Sequence, residues 1–94
     1  MHVAGLIWLD EIVDKLEFKH NVRQAEVVQV LESRPLFRSI EKGHRPGEHV
    51  YLAPGQSVAG RYLAIFFVYK SDQRALVVSA RDMTHAERRQ YGQG

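Results

Sequence analysis

Apolar positions in this chain recur every three or four residues in the first third and every second residue afterwards, and the change falls at Pro35. Before it, residues 5–9 read as a short strand. Asp10 is placed to cap a helix, with Glu11 and Asp14 in the first turns, where the helix dipole favours acids. Ile12, Val13 and Leu16 give that helix an apolar stripe, Lys15, Lys19 and His20 put positive charge towards its end, and Asn21 breaks it. Val27, Val30 and Leu31 mark a second helix over residues 23–33. Pro35 stops it, because proline restricts the preceding residue and lacks an N–H for the ladder.

After Pro35 the spacing predicts a strand at 36–41, a turn at 42–47, a strand at 48–53 and a looser connection up to Gly60. Residues 61–70 are apolar on both faces, which suits a central strand covered on two sides. A tight turn at 71–73 leads to a last strand at 74–81, and short turns make such neighbours antiparallel. Strict alternation puts Ala75, Val77, Ser79 and Arg81 on one face of that strand, and Leu76, Val78 and Ala80 on the other. Thr84 and Glu87 fit a capping box that starts a terminal helix. That helix pairs Arg88 with Tyr91 and His85 with Arg89, and Gly92 closes it. The expectation is one α+β domain over residues 1–94: an N-terminal strand and two helices packed on a four-strand antiparallel meander, with a short C-terminal helix.

Composition narrows the chemistry. With 94 residues, 45% hydrophobic and 26% charged, the chain suits a single modest core and a shallow surface site. It has no cysteine, which excludes disulfides, thiolate metal sites and a cysteine nucleophile. The apolar run at 3–9 is too short for a membrane helix, lacks a basic leader and meets Asp10-Glu11, so a cytoplasmic protein without a membrane partner is expected. Net charge is +2, but residues 1–60 carry seven Lys/Arg and eight Asp/Glu, and residues 61–94 carry six and three. The positive excess therefore lies in the C-terminal third, where it favours polyanions or simply a solvated tail.

No familiar site for a metal, nucleophile or nucleotide is spelled out. His2, His20, His44, His49 and His85 lack zinc-ligand spacing, although His44 and His49 flank a Pro-Gly turn. No nucleophile elbow or phosphate-binding glycine loop is present. What remains is a basic and aromatic set: Lys19, His20, Arg61, Tyr69, Lys70, Arg74, Arg81, Arg88, Arg89 and Tyr91. Metal-free RNA cleavage needs little more than such a set. The ribose 2′-oxygen attacks the adjacent phosphate, arginine forks stabilise the developing charge, and His, Glu, Lys or Tyr moves the protons. Each residue also has a plainer reading. Arg61, Lys70 and Arg74 suit soluble strand ends, Tyr69 and Tyr91 suit core edges, Lys19 and His20 suit a helix C-terminus, and Glu48 suits a neighbouring cation. Arg81, at a strand end behind Ser79-Ala80, calls most strongly for a defined partner.

The order of motifs resembles a known family. Gly60-Arg61-Tyr62-Leu63, an apolar strand, Arg74, Val78-Ser79-Ala80-Arg81 and Ala86-Glu87-Arg88-Arg89-x-Tyr91 are similar to the C-terminal half of the BrnT-type toxins of bacterial type II toxin–antitoxin systems. Trp8 with Asp10, Lys19-His20-Asn21-Val22 and Glu48-His49-Val50-Tyr51 are similar to its N-terminal half. Asn21 stands where the family has glycine, one residue separates Trp8 from Asp10, and the helix end before Pro35 lacks the family's aspartate-proline. The resemblance implies a RelE-like microbial ribonuclease fold, cleavage of mRNA on the ribosome or free of it, growth arrest, and neutralisation by a cognate antitoxin in a hetero-oligomer.

The basic set and the family pattern together point to Arg61 and Arg81 at the scissile phosphate, with His20 or Glu48 moving protons. Lys19, Lys70, Arg74, Arg88, Arg89 and Tyr91 then hold the RNA, without a metal or other cofactor. The rival readings are a non-catalytic module that binds RNA or protein through the same basic face, and a subunit that only docks an antitoxin.

Overall fold

The computed structural model describes residues 1–41 and 49–93. The turn expected at 42–47, His44 and the candidate Glu48 lie outside the described residues. The elements run β1 (Gly5–Ile7), α1 (Asp10–His20), α2 (Gln24–Glu32), β2 (Arg38–Glu41), β3 (Val50–Gln56), β4 (Tyr62–Tyr69), β5 (Arg74–Asp82) and α3 (His85–Gln93). They form one sheet in the order β1-β5-β4-β3-β2, with α1 and α2 on one face and α3 on the other.

The meander of β2 to β5 is antiparallel as expected, but the sheet has five strands. β1 is part of it, pairing parallel with β5 from Gly5 opposite Arg74 to Ile7 opposite Leu76. β5 would otherwise present a bare edge, and β1 covers it.

Local chemistry also moved several boundaries. β1 stops at Ile7, and Asp10 is the first helical residue, not the cap. Leu9 caps α1 through its carbonyl alone, which accepts from the Ile12 and Val13 N–H groups. At the other end Asn21 adopts the left-handed conformation, φ 52°, so it does the work of a glycine there, and the Val22 N–H closes on the Leu16 carbonyl. Glu26 accepts the Arg23 N–H at 3.0 Å and anchors the start of α2. β3 runs through Pro54-Gly55, where a loose connection was expected. β2 pairs only with Val50 to Leu52, so Pro54 sits where β3 is an edge and no ladder bond is lost. α3 continues past Gly92 to Gln93.

β5 departs from strict alternation. A bulge opposite Phe66 and Phe67 pairs Phe66 with Ser79 and Phe67 with Val77, so Ala80 joins Ala75 and Val77 on the α1/α2 face. Ser79 and Arg81 therefore point to the α3 face. Lys15 of α1 donates to the Val78 carbonyl at 3.2 Å, satisfying an acceptor at the bulge.

The main core packs Leu16, Val22, Val27 and Val30 on Ala53, Leu63, Ile65, Phe67, Ala75, Val77 and Ala80. A smaller one on the far face gathers Leu52, Ala64 and Met83 with Tyr62, Phe66 and Tyr91. β4 is thus the central strand covered on both sides. Among the described residues no helix is long and apolar enough to cross a membrane.

Candidate nucleic-acid interface

The last turn of α1 meets the sheet where β4 begins and β5 ends. A helix C-terminus leaves carbonyls without intrahelical donors, and Arg61 supplies them. Its guanidinium donates to the His20 carbonyl at 2.9 Å and to the Asn21 carbonyl. It also grips Asp82, with Nε to Oδ1 at 2.8 Å and Nη2 to Oδ2 at 3.2 Å, and lies 3.3 Å from Glu26 Oε1. The hydrogen bonds to Asp82 raise the Arg61 pKa, against the opposing effect of burial. Asp82 is held below the ordinary carboxylate range, first by those same bonds and then, against its own burial, by the charges of Arg61 and His20. Buried Ser57 fastens the loop before Arg61 by accepting the Arg61 N–H at 3.1 Å.

Arg81 lies on the other face. Its register partner is Ala64, in the α3-side cluster, and its guanidinium stacks 5.1 Å from the centre of the Phe66 ring. Glu87 accepts from both of its terminal nitrogens, at 2.7 and 3.1 Å. The expected capping box is present: Glu87 Oε1 accepts the Thr84 N–H at 2.8 Å, and Thr84 Oγ1 accepts the Glu87 N–H at 3.1 Å. The Arg81 bonds lower the Glu87 pKa to about 2, and Arg81 is raised in turn. At the next residue of α3, the Arg88 guanidinium lies 4.1 Å over the Tyr62 ring, which also meets the Tyr91 ring edge-on at 6.0 Å.

This end of the molecule therefore collects Lys19, His20, Arg61, Arg81, Arg88, Arg89 and Tyr91, with Lys19, Arg88 and Arg89 exposed and His20 half-buried. The sheet separates Arg61 from Arg81. Lys70 and Arg74 are at the opposite end, beyond the eight residues of β4, a separation of roughly 25 Å. Arg74 there pairs with Asp72, Nε to Oδ2 at 2.7 Å. Tyr69 is also at that end, its hydroxyl donating to the His2 carbonyl. Among the described residues no group of His, Asp or Glu side chains is arranged to hold a metal ion.

Glu26 and Asp82, the two acids that hold Arg61, were missed from sequence. Glu26 is the third residue after Arg23, a capping spacing, and Asp82 is an acid set directly behind Arg81 in the most basic part of the chain.

No protein-family model matches the chain, and no curated protein matches it in sequence. Among solved structures it is similar to the crystal structure of the Brucella abortus ribonuclease toxin BrnT, with a TM-score of 0.61 and 16% identity, over 86% of this chain and 97% of that one. The chain therefore has the α+β fold of that toxin.

Proposed function

We propose that this chain is a ribonuclease toxin of a toxin–antitoxin pair, acting on RNA in the cytoplasm at the end of the sheet where α1 stops. The observation that carries this reading is the likeness in fold over 97% of a chain described as a ribonuclease toxin. The exposed cations Lys19, Arg88 and Arg89 at the same end of the sheet as half-buried His20 support it, because a clustered positive surface attracts a polyanion and histidine transfers protons near neutral pH.

In this reading His20 takes the proton of a ribose 2′-hydroxyl as that oxygen attacks the adjacent phosphorus. The bond to the 5′-oxygen breaks, a proton completes the 5′-hydroxyl, and a 2′,3′-cyclic phosphate remains. Arg61 is a positioning residue: its bonds to the His20 and Asn21 carbonyls fix the helix end that carries the imidazole. Arg81 reaches a phosphate by exchanging Glu87 for it, since a carboxylate and a phosphate present similar two-point acceptors to the fork. Lys19, Arg88 and Arg89 hold the flanking backbone.

Incubating the purified chain with an RNA oligonucleotide tests this. Fragments ending in 2′,3′-cyclic phosphate are expected, and His20→Ala lowers their rate by about 10²–10⁴-fold without abolishing RNA binding. Expression in a bacterial host arrests growth, and His20→Ala relieves the arrest. Salt-sensitive RNA binding without fragments would establish the non-catalytic module instead.

A further inference from the structure

We infer that the cleft between α3 and the segment joining α2 to β2 docks an acidic amphipathic helix of a protein partner. The cleft has a volume of about 840 Å³ and lies on the α3 face of the sheet. Its size falls in the range of about 300–1,000 Å³ typical of sites that bury a ligand. Leu52, Pro54, Ala64 and Met83 are among its lining residues, and Leu52, Ala64 and Met83 are buried in the small core there. Leu36 also lines it yet is 76% exposed, so a large apolar side chain stands in water beside an apolar hollow. A single exposed leucine is ordinary, but one continuous with such a hollow marks a contact surface.

The polar residues give the sign of the occupant. Arg34 and Arg38 line the same cleft, and neither forms an ion pair among the described residues. Arg38 donates to the neutral amide oxygen of Gln90 at 2.8 Å, linking β2 to α3. Glu87, the acid lining the cleft, has both oxygens engaged by Arg81. A carboxylate brought by a partner would therefore find two arginines without an acid, and it could accept two bonds from the Arg38 fork in place of the single bond now given to an uncharged amide.

The form of the occupant follows from the walls. The hollow is walled mainly by side chains on the α3 face of β3 and β4, and where β3 is an edge, past Leu52, Pro54 has no N–H to offer an added strand. Side-chain anchors at helical spacing fit such a groove. A nucleic acid fits it less well, because a base entering the hollow would face the apolar floor of Leu52, Pro54, Ala64 and Met83, and the Tyr91 ring already packs edge-on against Tyr62. The inference takes from the proposed function only that a protein partner exists, and its test does not depend on RNA cleavage.

The test uses the full chain and a fluorescent synthetic peptide of about 16 residues with leucines at i, i+3, i+4 and i+7 and glutamates between them. A scrambled peptide of the same composition is the control. The patterned peptide should bind at least about tenfold more tightly than the scrambled one, and its affinity should fall with salt. Leu36→Glu and Arg38→Glu, both at exposed positions, should each weaken it by about tenfold or more, with circular dichroism and RNA cleavage unchanged. The inference is overturned by equal affinity for the two peptides, by variants that bind like the original chain, or by an RNA oligonucleotide that displaces the peptide and loses affinity in the same variants. Absence of RNA cleavage with peptide binding intact would remove the proposed ribonuclease function and leave the docking site standing.

Discussion

Glu87 closes both carboxylate oxygens on the Arg81 guanidinium while one of them also accepts the Thr84 N–H, so a single side chain ties the end of β5 to the first turn of α3. α3 has few other anchors: of its side chains Tyr91 packs on the small core, Arg88 stacks on Tyr62, and most of the rest are exposed. The junction therefore governs how firmly the terminal helix is held, and through it whether Arg81 is available to anything else.

Its pH dependence follows from the direction of the shift. Glu87 is depressed in the folded chain from 4.5 to about 2. Its contribution is therefore fully present above the unfolded value and is lost as pH falls from about 4.5 towards 2. With the carboxylate side chain 25% exposed, solvent screening reduces the effect to about 1–2 kcal/mol. Urea unfolding at pH 5 and near pH 2.5 should show that loss. Glu87→Gln should lose less over the same interval, and the difference between the two isolates Glu87 from Asp82, which is depressed in the same direction.

Arg61 makes the opposite kind of junction, between a helix end and two strands. Removing it leaves the His20 and Asn21 carbonyls without their donor and two carboxylates, Glu26 and Asp82, without their cation. Arg61→Ala should cost about 2–3 kcal/mol, with faster hydrogen exchange in the last turn of α1. Arg61→Lys should recover only part of this, because one ammonium cannot serve carbonyls and carboxylates in the geometry of the planar fork.

Where the chain's periodicity was regular, the fold was legible. The two helices, the meander, the buried central strand and the Thr84–Glu87 cap all follow from spacing and capping chemistry. The pairing of β1 was not, because three residues carry no sign of which edge they will meet. Nor was the bulge in β5: one extra residue moved Ala80 into the main core and swung Ser79 and Arg81 to the far face. The grouping of the basic residues suffered most. Local sequence shows which side chains are cationic, but only strand direction shows that Arg74 and Lys70 sit a full strand length from Arg61.

Gly55 gives a test of the packing between sheet and helix. A Cβ placed there would lie 2.9 Å from Val30 Cγ1, and Val30 is fully buried and stiff at χ1. Gly55→Ala should therefore destabilise the chain by about 1–3 kcal/mol through overpacking, even though alanine is the better strand residue. Coupling it with Val30→Ala should restore part of the loss, read as a non-additive double-mutant cycle in urea unfolding.

The split of the cations between two ends of the sheet makes a prediction for RNA binding. Each phosphate neutralised on a single strand contributes about 0.7 to the slope of log affinity against log salt. Lys19 and Arg89 are exposed at the end where α1 stops and α3 runs, and each should therefore account for one such increment. Arg74 lies beyond the far end of β4 and already holds Asp72 at 2.7 Å. Fluorescence anisotropy of a short RNA between about 50 and 200 mM salt should thus give a shallower slope for Lys19→Ala and Arg89→Ala, and an unchanged one for Arg74→Ala. An equal loss in all three would mean that RNA runs the length of the sheet, and the site would then have to include the turn between β4 and β5.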